Sequence, residues 1–213
     1  MERGRPATPE GLLDAARIEY SASSVDLEAV PSSGAVLLAV DGPFGIIEGL
    51  VLAALLPRVR MDVKVLANYV LAEVPGFESS FLPVDPWPGR RAVTMNRHSM
   101  LQAVTWLSDQ KLLAVFPAGD CMALPLTHPR RPRWRNTPVR LARLSGAQIV
   151  PACFLRKEAP ATELELRIGS PIPWQRLAAI GSDQTSTEYV HWHAAALKRR
   201  HESPERLVPR LAC

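Results

Sequence analysis

Two apolar runs meet at one tight turn in residues 35–56, which read AVLLAVDGPFGIIEGLVLAALL. The first run, Ala35 to Val40, has the length and the Val/Leu content of a buried strand. It breaks at Asp41-Gly42-Pro43 and turns through Phe44-Gly45. The second run continues almost without a polar interruption from Ile46 to Leu56 and is closed by Pro57, as expected of a buried helix. Strand, Gly/Pro turn and helix, with the acids Asp41 and Glu48 flanking the turn, form the unit around which ligands gather in open α/β sheets. The plainer reading is a strand-to-helix connection whose acids cap and solubilise it.

The chain of 213 residues fits one domain, and at 47% hydrophobic and 22% charged it has the composition of a soluble protein with a full-sized core. Cys121, Cys153 and Cys213 have no metal-type spacing, which argues against a disulfide framework and for a reducing compartment. The N-terminus MERGRPATPEG lacks the apolar region of a secretory signal. The most apolar window is interrupted by Asp41, Pro43 and Glu48, so membrane contact is expected to be peripheral. The net charge of +4 is unevenly placed. Arg130 to Arg135, around Trp134, suits an anionic lipid surface with the indole at the interface, or an acidic carrier protein. Lys198 to His201 reads as a solvated basic face. No nucleic-acid-binding motif accompanies either cluster.

In chain order, a loose segment (1–17, with a short helix over 12–17) precedes a strand over 18–23 and a turn at Pro31-Ser32-Ser33-Gly34. Beyond the central unit, DVKVL (62–66) and FLPVD (81–85) read as short strands, with a brief helix over 68–73. Pro86-Trp87-Pro88-Gly89 forms a loop presenting Arg90 and Arg91. Residues 92–108 have helical apolar spacing, and KLLAVF (111–116) is a buried strand cut off by Pro117-Ala118-Gly119-Asp120. A helix over 138–144 ends at Gly146. Strands over 148–155 and 163–168, an irregular stretch over 172–177 and a closing helix over 187–200 complete the chain. This alternation predicts an α/β domain with a mainly parallel sheet flanked by helices over 18–200, and a tail over 201–213.

Several of these segments together resemble the lysophospholipid acyltransferase (glycerolipid acyltransferase) family, most closely its bacterial hemolysin-like branch. DGPFGIIEG (41–49) stands where the family has N-H-P-x-G-x-x-D-G. FLPVD with the following Gly-Arg matches the second block, FPAG (116–119) the F-P-x-G block, and IVPACF (149–154) the block with a buried V-P; RIGSPIP (167–173) and the helix near Tyr189 also fit. The resemblance implies a glycerol-3-phosphate acyltransferase-like fold. It implies transfer of a fatty acyl chain from acyl carrier protein or coenzyme A to the hydroxyl of a lysophosphatidate- or lyso-ornithine-type lipid. The location implied is peripheral, on the cytoplasmic inner face of the cell membrane, and no bound cofactor is required. The family's His, oriented by its acid, is the general base for the acceptor hydroxyl.

Here Gly42 occupies the His position, Asp41 the Asn position and Glu48 the acid position. Glycine cannot accept a proton, and a carboxylate such as Asp41 is ordinarily a poor acceptor for one from a hydroxyl. Two readings therefore stand together: an acyltransferase using Asp41 and Glu48, and a catalytically impaired relative that binds lyso-lipid or acyl carrier protein in a regulatory or subunit role. The substrate-binding set implied by the resemblance is Pro43, Phe44, Gly45, Arg90, Arg91, Phe116, Pro117, Ala118, Gly119 and Asp120, the guanidinium groups suiting a phosphate or head group. His98, His128, His191, His193 and His201 read as surface or structural residues. His128 and Cys121 are kept in view because they follow the FPAGD block.

Overall fold

The computed structural model describes residues 7–42, 46–87, 89–118, 133–156 and 163–201. Pro43, Phe44, Gly45, Gly119, Asp120, Cys121 and His128 lie outside this set. The elements in chain order are α1 (Pro9–Ala15), β1 (Glu19–Ala22), α2 (Ser24–Glu28), β2 (Val36–Asp41), α3 (Ile46–Leu55), β3 (Val63–Asn68), α4 (Tyr69–Ala72) and β4 (Phe81–Val84). They continue with α5 (Arg90–Ser108), β5 (Leu112–Val115), α6 (Thr137–Ser145), β6 (Gln148–Arg156), β7 (Glu163–Ile168), α7 (Trp174–Ile180) and α8 (Asp183–His201). The strands form one sheet in the order β1-β7-β6-β2-β5-β3-β4. The block β6-β2-β5-β3-β4 is parallel throughout, while β7 is antiparallel to β6 and parallel to β1. The central unit expected from residues 35–56 is the middle of this sheet and the helix that leaves it.

Side chains alternate between the two faces of a strand, and the core divides accordingly. Val36, Leu38 and Val40 of β2 pack with α3, Val65, Ala114 and Phe154 on one face. Leu37 and Ala39 pack with Leu107, Val139, Leu177 and Val190 from α5, α6, α7 and α8 on the other. α3 is buried from Glu48 to Leu55. A Cβ on Gly49 would lie 3.1 Å from Leu71 Cδ1, so the helix lies this close to α4 because position 49 has no side chain.

Local chemistry sets the helix ends. Thr8 caps α1 by accepting from the Gly11 N–H at 3.1 Å, and Leu13 anchors that helix in the core, within the segment expected to be loose. α2, which has no apolar periodicity, is tied down by Asp26, whose carboxylate accepts from the Ile168 N–H at 2.8 Å and faces Arg167 Nη1 at 3.4 Å. α6 closes on Gly146 in the left-handed conformation, φ 71°. The stretch 172–177, expected to be irregular, contains the start of α7. Its Leu177 is fully buried, and the Ser186 hydroxyl donates to the Leu177 carbonyl at 3.0 Å, fixing α7 against α8. The edge strand β4 carries Pro83, whose carbonyl accepts from the Ser99 hydroxyl of α5 at 2.5 Å. No described helix is long and apolar enough to cross a membrane.

Candidate functional site

Because β2 to β6 run parallel, Asp41-Gly42, the FLPVD block and the FPA block all lie at the same edge of the sheet, the C-terminal ends of the strands. The alternation along β2 then separates the two acids. Asp41 follows Leu37 and Ala39 onto the α8 face. There its Oδ2 accepts from Lys198 Nζ at 2.7 Å and its Oδ1 from the Trp134 indole N–H at 3.3 Å. Position 42 follows Val40 onto the α3 face, where Glu48 sits in the first turn of α3, 2% exposed. Asp41 and Glu48 therefore lie on opposite sides of the sheet.

A Cβ built on Gly42 would be 3.8 Å from Glu48 Cγ, 3.8 Å from Phe116 Cε1 and 3.3 Å from Phe154 Cδ2. A side chain at position 42 would thus start beside Glu48 and two phenylalanines. Gly42 is not among the positive-φ glycines, so its backbone makes no demand for glycine. What limits the position is Phe154, close enough that a Cβ would have to displace it by a few tenths of an ångström.

Trp134, expected to rest at a lipid interface, is 5% exposed. Its ring packs on His191 of α8, centroids 4.8 Å apart, and its indole points at Asp41. The same segment is fixed to the end of β5 by the Arg135 N–H, which donates to the Pro117 carbonyl at 2.9 Å. Lys198, expected on a solvated basic face, turns inward to Asp41 from 157 positions away in sequence. Cys153, opposite Asp41 in the β2–β6 register, is buried, and burial pushes its thiol up to about 12. A buried thiol held in its neutral form is a poor nucleophile.

Arg90 and Arg91 open α5 rather than a loop, and a turn of about 100° per residue sends them in different directions. Arg91 folds back: it lies 3.9 Å from Glu73, 4.0 Å from Asp85 and 4.8 Å over the Tyr69 ring. Arg90 is exposed. Between the ends of β3, β4 and β5 and the helices α5 and α6 lies a cavity of about 500 Å³. Leu66, Val115, Phe116 and Met100 give it apolar walls, and Asn68, Asp85, Asn96 and Arg135 supply polar groups. Phe116 contributes to both the cavity and the surroundings of position 42. Pro117 lines the cavity too, whereas Ala118 packs against the α5–α8 side of the core. Asn96 holds the rim: its Oδ1 accepts from the Asp85 N–H at 2.8 Å and its Nδ2 donates to the Asp85 carbonyl at 2.9 Å. Among the described residues no cluster of His, Cys, Asp and Glu is arranged to hold a metal ion.

The chain shares its architecture with the 1-acyl-sn-glycerophosphate acyltransferase PlsC of Thermotoga maritima. The two superpose with a TM-score of 0.57 at 13% identity, over 93% of this chain and 77% of that one. This chain has the PlsC fold. Comparison of the sequence with protein-family models and with curated proteins gives no match. At 13% identity the likeness establishes architecture, and the chemistry has to be argued from the residues present.

Asn96, Phe154, Trp134 and Lys198 were not among the residues singled out from sequence as shaping this edge. Only Asn96 had a usable local signal, a polar residue on the inward side of an amphipathic helix. The others reach the site from distant parts of the chain.

Proposed function

We propose that the chain is an acyltransferase-like protein of lysophospholipid metabolism, which binds a lyso-lipid at the C-terminal edge of its sheet without a histidine base. Position 42 carries this reading. The place from which a base would face Glu48 is held by glycine, and Phe154 stands against it at 3.3 Å from the Cβ position. The PlsC fold and the apolar cavity beside the FPA block support a lipid ligand. Asp41 does not replace the base, because it faces α8 and both its oxygens are engaged by Lys198 and Trp134. Its role is to anchor α8 to the end of β2. Acyl carrier protein or coenzyme A supplies the acyl thioester, and a position at the inner face of the cell membrane gives access to these donors.

A general base is worth about 10²–10⁴-fold in rate, so binding and orientation are what the natural site retains. A second reading, an active transferase, is favoured by Glu48, whose buried carboxylate adjoins the space that a side chain at position 42 would enter. Transfer of a labelled acyl chain to a panel of lyso-lipids separates the two. We expect the natural protein to bind lyso-lipid in proportion to its own concentration and to turn over little. The double variant Gly42→His, Phe154→Leu should gain transfer by at least about 10²-fold. Turnover by the natural protein that Glu48→Gln abolishes would establish the second reading and overturn the first.

A further inference from the structure

At the mouth of the cavity, helix α5 carries an exposed stripe that runs on beyond it. At about 100° per residue, Arg90, Val93, Arg97 and Leu101 fall within one narrow arc. Val93 is 69% and Leu101 60% exposed, on a helix whose opposite side is core. Trp87, in the loop before the helix, is 54% exposed. Its position is fixed, because its N–H donates to Asp85 Oδ1 at 3.0 Å and Asp85 is itself tied to Asn96 of α5. From Arg90 to Ser108 the helix contains no acidic residue. At its start Arg91 points elsewhere, towards the acids Glu73 and Asp85.

We propose that Trp87, Arg90, Val93, Arg97 and Leu101 form the face by which this protein docks on an anionic membrane. Cations interleaved with large apolar side chains match the boundary between charged head groups and acyl chains. An acidic carrier protein would engage Arg90 and Arg97, but the three apolar residues Trp87, Val93 and Leu101 outnumber these cations and two of them open onto the cavity, a balance that suits a bilayer surface. Trp87 and Val93 also line the cavity, so a lipid leaving the bilayer at this face enters without crossing water. The proposal rests on the lyso-lipid reading for the cargo alone. Docking is measured with neither lyso-lipid nor acyl donor, so its failure leaves that reading standing.

The test is sedimentation of the full chain with vesicles of phosphatidylcholine, and with vesicles of equal parts phosphatidylcholine and phosphatidylglycerol. Binding is expected only to the anionic vesicles. The double variant Arg90→Gln, Arg97→Gln should weaken it by roughly thirtyfold, about fivefold for each cation at such a surface. Trp87→Ala should weaken it by at least about tenfold. Trp192→Ala, which removes an exposed tryptophan from α8, should leave it unchanged, and unaltered thermal melts show that the variants are folded. Equal binding by the α5 variants and the natural chain would overturn the proposal. So would equal loss with Trp192→Ala, or arginine variants that lose affinity for acyl carrier protein but keep their vesicle binding.

Discussion

Where β2, β3 and β5 begin, one buried guanidinium ties the three strands together. Arg60 forks onto Asp62 at 2.6 and 2.5 Å and donates to the carbonyls of Pro31 at 3.2 Å, Gly34 at 3.0 Å and Gln110 at 2.9 Å. The Asp62 carboxyl is held below its ordinary range, first by the hydrogen bond from Arg60. At the opposite edge of the sheet, the polar groups are divided among several partners. Asp41 and Glu48 face opposite sides of the sheet, Asp85 and Asn96 stiffen a rim, and a cavity lies against that rim. In the first arrangement one side chain serves the ends of several strands and draws them together. In the second, each strand end is held by a different partner, which keeps space open. The many-handed ion pair and the open space thus lie at opposite ends of one sheet.

Breaking the closed end should have the largest effect. Arg60→Ala leaves a carboxylate and three carbonyls without their donor, and is expected to cost about 3 kcal/mol. In a chain of this size that lowers the melting temperature by roughly 6–12 °C. Lyso-lipid affinity of the surviving folded fraction should stay the same. An equal fall in affinity would mean that the two ends are coupled.

At the open end, Gly42→His should cost about 1–3 kcal/mol through the clash with Phe154. Phe154→Leu should relieve part of that cost. A double-mutant cycle in urea is expected to show coupling of at least about 0.5 kcal/mol; strict additivity would mean that Phe154 is not what constrains position 42.

Lys198→Met tests the α8 anchor. This pair is half-buried and screened in part, so the expected cost is about 1 kcal/mol. A loss as large as that of Arg60→Ala would erase the contrast between the ends.

The smallest effect concerns pH. Burial, aided by Arg176, lowers the His193 imidazole below its ordinary value of 6.5. The folded state therefore binds fewer protons than the unfolded chain once the pH falls below about 6.5, and stability declines from there down to the lowered pKa. His193→Gln should flatten that part of a melting-temperature profile, and an unchanged slope would assign it to other groups.

The α/β alternation was legible because strands buried on both faces leave unbroken apolar runs, as in VLLAV and LLAV. α7 was not, since its central buried contact is the single Leu177 and the stretch before it is full of proline. At the site, the local relation between position 42 and Glu48 is carried by six residues of chain and could be read directly. The partners of Asp41 are not local: Trp134 lies 93 and Lys198 157 positions away. Nothing in a basic tail distinguishes the lysine that turns inward from its neighbours. Arg90 and Arg91 show the converse, adjacent in sequence and both exposed, yet sent by the helix in different directions, Arg91 towards Glu73 and Asp85.

Pro83 in the edge strand β4 bears on how copies of the chain behave towards one another. An open sheet edge offers a row of N–H and C=O groups on which a foreign strand can build. Proline has no N–H to offer, and the Ser99 hydroxyl already occupies the Pro83 carbonyl. The strand is also only four residues long. Edge-to-edge stacking into fibres is thereby discouraged at this side of the sheet, and a concentrated sample should resist gelation there for as long as α5 stays packed against the edge.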